Sequence, residues 1–168
     1  MSGRLFASAK YLLGFHGAGS LQNLHPLVIH FPIAFLSGAA LLYLLAWIVR
    51  REAWAWTALL MLALGTLGAG AAVWTGLRAG EGVMIAPSVR DHILVFHRAL
   101  MLIVFALSLA LCLWALSARP MPRRGRSAFV VLLFVMTALL AIGADFGGWM
   151  VYSYNAGGSL PQPIEFSP

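Results

Sequence analysis

The chain has 168 residues, 61% of them hydrophobic and 10% charged, with a formal charge of +6 and a mean hydropathy of +0.88. Soluble domains run at about 45–50% apolar and about 25% charged residues, so the composition excludes a soluble fold and points to an integral membrane protein. The arginine surplus does not read as a nucleic-acid footprint, because the basic residues gather beside apolar runs, as they do around membrane spans.

Residues Arg4 to Phe15 mix Leu5, Phe6, Leu12 and Leu13 with Arg4 and Lys10. A dozen residues fall short of the roughly 20 needed to span a bilayer, and no small-residue cleavage site follows. An interfacial helix within residues 1–23 is expected, with Gly17 to Asn23 as a polar loop. His25-Pro26-Leu27-Val28-Ile29-His30-Phe31-Pro32-Ile33 then opens the first span, Leu27 to Val49. Pro26 suits a first helical turn, whereas Pro32 removes a backbone bond and crowds the preceding turn, so the helix should bend there. Span one ends in Arg50-Arg51-Glu52, and span two covers Trp54 to Leu77, followed by Arg78, Glu81 and a loop to Pro87. Ser88-Val89-Arg90-Asp91 has the spacing of a capping box and should start span three, His92 to Leu116. A connector with Arg119, Arg123, Arg124 and Arg126 leads to span four, Ala128 to Tyr152. The tail, residues 153–168, carries Gly157-Gly158, Pro161, Pro163 and Pro168 and should be extended.

Four spans with short loops predict an all-α, antiparallel four-helix bundle occupying residues 24–152. The dense arginine side, with Arg50, Arg51, Arg119, Arg123, Arg124 and Arg126, should face the cytoplasm, which puts both termini in the periplasm of a bacterial inner membrane. Trp47, Trp54, Trp56 and Trp114 mark one interface, and Trp74, Trp149, Tyr152 and Tyr154 the other.

Leu24-His25-Pro26, Phe31-Pro32-Ile33, the glycine- and alanine-rich end of span two, His97, and Gly147-Gly148-Trp149-Met150-Val151-Tyr152 together resemble the bacterial membrane proteins grouped as domain-of-unknown-function family 2231. The resemblance covers roughly residues 24–158. It implies a four-span membrane protein, often encoded near redox proteins, and no established reaction.

All five histidines (16, 25, 30, 92 and 97) fall on the expected outer side. Spans one and three run in the same direction, and each opens with two histidines five residues apart. Five helical residues rotate by roughly 500°, leaving two rings roughly 140° apart, so one regular helix cannot aim both at a single metal. Pairing across helices is better: His30 with His97 at the deeper level, and His25 with His92 nearer water. Two facing imidazoles are what a six-coordinate haem b needs. The ordinary alternatives are that His25 sits in a helix cap, His92 in water, and the deeper pair in buried hydrogen bonds; His16 reads as a surface residue.

Arg98 and Asp145 lie inside apolar runs at similar depth, where each needs a partner or water. They either pair with one another, or Arg98, with Arg90 or Arg78, meets haem propionates while Asp145 accepts a hydrogen bond from a ligating imidazole. Gly65, Ala69, Ala72 and Gly76, and Gly143 with Gly147, form smooth stripes suited to close helix packing and equally to a flat macrocycle.

Cys112 is single and no C-x-x-C-H occurs, which excludes a thiol pair and covalent c-type haem attachment. Five acidic residues without a close pair, no nucleophile elbow and no phosphate loop leave enzymatic readings without support, so whether the chain is an enzyme stays open. The leading expectation is an electron-transfer subunit binding haem b between spans one and three. Its partners would be the lipid bilayer, membrane or periplasmic redox subunits and quinone, with no nucleic acid. The alternatives are a cofactor-free accessory subunit of a respiratory or photosynthetic complex, and a copper site using Met84 or Met101 with the outer histidines.

Overall fold

The computed structural model describes residues 23–157. Most of the expected interfacial segment, with His16, and the tail beyond Gly157 lie outside the described residues. Helices α1 (His25–Val28) and α2 (His30–Val49) form the first span. The Asn23 side chain accepts the His25 N–H at 3.0 Å, and Pro26 occupies the first turn, where a missing donor costs nothing. The interruption at Ile29 traces to Pro32, which has no N–H to offer the Val28 carbonyl. The ladder resumes with Ile33 N–H on the Ile29 carbonyl at 3.3 Å.

Helix α3 (Glu52–Gly82) is the second span and continues through Arg78 to Gly82, further than its apolar run. The third span consists of α4 (Pro87–Val89), a π-helical turn (Arg90–Leu94) and α5 (Val95–Ala118). It starts before the expected capping box: Pro87, with its fixed φ, opens the helix behind Ala86, and Ser88 lies inside the first turn instead of capping it. Helix α6 (Arg126–Tyr154) is the fourth span. It ends with Asn155 in the left-handed region and Ala156 N–H on the Met150 carbonyl at 2.9 Å, which serves one of the carbonyls left over at the helix end.

All four spans are long and apolar enough to cross a bilayer, and the described residues form an all-helical bundle. Helix α2 packs against α3 and α6, and α5 packs against the same two. Spans one and three therefore stand on one diagonal of the bundle, and spans two and four on the other. The dry core fills the arginine-rich part. Leu36, Tyr43, Leu62, Leu111, Phe129, Leu133 and Met136 are fully buried there. The Phe129 ring meets Tyr43 and Trp114 edge-on at 4.9 and 5.5 Å. Polar groups inside it are satisfied, as hydrocarbon demands: Tyr43 donates to the Pro120 carbonyl at 3.0 Å, Thr66 to Leu62 at 2.8 Å, and Ser108 to Phe105 at 2.8 Å.

This core stops at the level of Ala69, Val104 and Gly143. Beyond it α3 buries no further residue. A second, small cluster of Ala86, Val89, Ile93, Leu94 and Met150 closes the far end. Between the two clusters the interior is polar.

Candidate functional site

The polar layer is built by one residue type meeting another at each crossing: a glycine on spans two or four faces a nitrogen-bearing side chain from spans one or three. The His25 ring lies on Gly76, where an added Cβ would stand 2.8 Å from its Cε1. The His97 ring lies on Gly147, where an added Cβ would stand 3.2 Å from the same atom type. The Arg98 guanidinium lies on Gly80 with no room for a Cβ between them.

Each imidazole is held through Nδ1. Thr75 spends its hydroxyl proton on the Ala71 and Ala72 carbonyls at 3.0 and 3.1 Å. Its oxygen is thus left to accept from His25 Nδ1–H at 3.1 Å. His97 Nδ1 lies 2.7 Å from the Gly143 carbonyl, which can only accept, so this nitrogen also carries its proton. In the neutral form both rings therefore keep a lone pair on Nε2, which makes that nitrogen the one able to ligate a metal. The two imidazoles belong to diagonal helices and both are half-buried, whereas His30 and His92 are exposed.

The arginines converge beside them. Arg90 Nη1 donates to the Gly80 carbonyl at 2.9 Å. Arg98 rests on the same glycine, and its Nε, withdrawn from solvent, has no hydrogen-bond partner among the described residues. Arg78 instead stacks on Trp74, 5.9 Å from the ring centre. Asn23, Trp74, Thr75, Arg78 and Val83 line a shallow groove of about 290 Å³ on the outer side of α3, next to His25.

Several expectations change. Of the first span's two histidines the structure half-buries the shallow His25, as it does His97, and leaves His30 exposed. His30 is exposed because the five-residue offset turns it away once His25 faces Thr75. His92 is exposed too, and its Nδ1 bonds the Ser88 carbonyl at 2.8 Å within its own turn. The π-helical turn Arg90–Leu94 separates it from His97 and alters the helical count between them. Asp145 is exposed on α6 and forms no ion pair among the described residues, so the Arg98–Asp145 link is not made. The acceptor role expected of Asp145 belongs to the Gly143 carbonyl. Met101 packs on Gly143, and Met84 is exposed. The residues that sequence reasoning missed are Thr75, Gly80 and the Gly143 carbonyl. Their signal was present in the glycine stripe, because a gap left by a missing Cβ in a membrane bundle must be filled by something.

A family profile described as "Predicted membrane protein (DUF2231)" matches residues 21–159. No curated protein and no solved structure gives a match.

Proposed function

The chain belongs to this family of predicted membrane proteins, and on that footing we propose that it is a membrane electron-transfer subunit holding haem b between His25 of the first span and His97 of the third. The observation that carries the reading is the matched hydrogen bonding: two imidazoles on diagonal helices, each held at Nδ1, which leaves Nε2 of each to ligate. No group of three or more His, Cys, Asp or Glu that would hold a bare ion is found among the described residues. Two protein ligands suffice where a macrocycle supplies the rest, and of the methionines a copper site would draw on, Met84 is exposed and Met101 packs on Gly143. Bound there, haem would supply reversible one-electron exchange.

The remaining roles fall to this chain. Thr75 and the Gly143 carbonyl fix the ring planes and raise the basicity of Nε2. Arg98 and Arg90 would meet propionates, and the orphaned Arg98 Nε is a donor in want of such an acceptor. Gly76, Gly80 and Gly147 provide the clearance these side chains occupy. Electrons would pass to periplasmic or membrane redox subunits or quinone, with the histidine end outside the bacterial inner membrane.

A reduced-minus-oxidised absorbance spectrum of the purified chain tests this. A sharp alpha band is expected; its absence from protein purified from haem-replete cells contradicts the reading. A cofactor-free accessory subunit is the second reading, and one observation favours it. Asp145, about two and a half turns before the end of α6, exposes a carboxylate on a membrane helix. A cation from a neighbouring subunit would answer it.

A further inference from the structure

The opposite end of the bundle holds a different kind of site. Both connectors on that side, Arg50-Arg51 and the loop from Arg119 to Arg126, close over one cavity of about 270 Å³. Its lining includes the guanidinium-bearing residues Arg50, Arg51, Arg119, Arg123 and Arg126 against the single carboxylate of Glu52. Ala46, Ala55 and Met121 form an apolar floor.

Excess positive charge at a membrane surface needs no explanation beyond orientation. Four features of this end go further. First, Arg124 belongs to the same connector but does not line the cavity, so five of the six arginines converge and one stays out. Second, Arg126 Nε is withdrawn from solvent and has no hydrogen-bond partner among the described residues. Third, α3 and α6 both start here, neither with a side-chain cap, so two positive helix ends add to the same field. Fourth, Arg50 is held at φ 55° and Arg119 at φ 34°, backbone conformations that L residues avoid and that glycine would adopt freely.

We propose that this cavity binds a phosphate-bearing anion through forked arginine contacts. An anionic phospholipid headgroup and free inorganic phosphate share that chemistry. The lipid is favoured by the apolar floor and by Trp47, Ile48, Trp54 and Trp56, exposed beside it along the chain where acyl chains would lie. The site is independent of any haem at the other end.

The test is native mass spectrometry of the full chain in mild detergent, titrated with phosphatidylglycerol, phosphatidylcholine or inorganic phosphate. Retention of phosphatidylglycerol over phosphatidylcholine is expected. Arg126→Gln should weaken it about tenfold, roughly the worth of one charge-assisted pair. Arg50→Gly should also weaken it while the fold is kept or firmed, because glycine relieves the left-handed backbone. Arg124→Gln, an equal loss of charge outside the cavity, should leave binding unchanged. Arg126→Lys keeps the charge without the fork and covers the case in which Arg126→Gln fails to fold; it too should bind less lipid. Binding of inorganic phosphate with the same dependence on Arg126 and Arg50 supports the site and assigns it to the free ion. Equal retention of the two lipids without phosphate binding, or equal weakening by Arg124→Gln and Arg126→Gln, overturns it.

Discussion

The two ends of the bundle use glycine in the same way and fill it differently. Towards the arginine end, the space a Cβ would take is occupied by apolar side chains: Leu36 against Gly65, and Met61 against Gly38. Towards the histidine end it is occupied by His25, Arg98 and His97. The first pattern gives a dry core whose polar groups are bonded internally. The second gives a layer whose donors are fixed on one side and available on the other. In a membrane, where apolar packing between helices competes with equally apolar lipid, close contact at small residues holds helices together. A chain that spends such contacts on imidazoles forgoes packing at that level, which explains why α3 buries nothing beyond Ala69.

Breaking the packed end should cost most. Phe129→Ala removes a fully buried ring and both of its edge-on partners. It should lower stability by about 3–5 kcal/mol, read as a large fall in Tm by circular dichroism in detergent. Gly65→Ala comes next, because its Cβ would stand 2.7 Å from Leu36 Cδ2 and 3.0 Å from the Leu36 backbone nitrogen. Overpacking of that kind costs about 1–3 kcal/mol. The smallest effect belongs to Gly82→Ala at the far end of the same helix, where an added Cβ meets nothing within 4 Å. That change should be neutral or stabilise by about 0.4 kcal/mol through the unfolded chain. A larger loss from Gly82→Ala than from Gly65→Ala would erase the distinction between the ends.

The fold was largely legible beforehand. Four long apolar runs, short loops and arginine clusters fix a helical membrane bundle, and the described helices follow those runs. The effect of Pro32 was legible only in part: a bend is expected at the proline, whereas the helix is interrupted at Ile29, near the Val28 carbonyl that proline leaves unserved. The site was less legible. Depth in the chain paired His30 with His97, but depth carries no information on azimuth. Which of two histidines 140° apart faces inward depends on Thr75 and Gly76 across the helix pair, and on a π-helical turn that periodicity does not announce. The same gap explains Asp145. Its apolar surroundings marked it as expensive without saying which face of α6 it takes.

The central claim is tested most directly by haem occupancy in three single variants, each purified from the same host. His25→Ala and His97→Ala should each retain no more than about a tenth of wild-type haem, because each would remove one of the two imidazoles proposed to hold it. His30→Ala should retain all of it, since that ring is exposed. Full occupancy in His25→Ala together with loss in His30→Ala would return the pairing to the two deeper histidines and contradict the account.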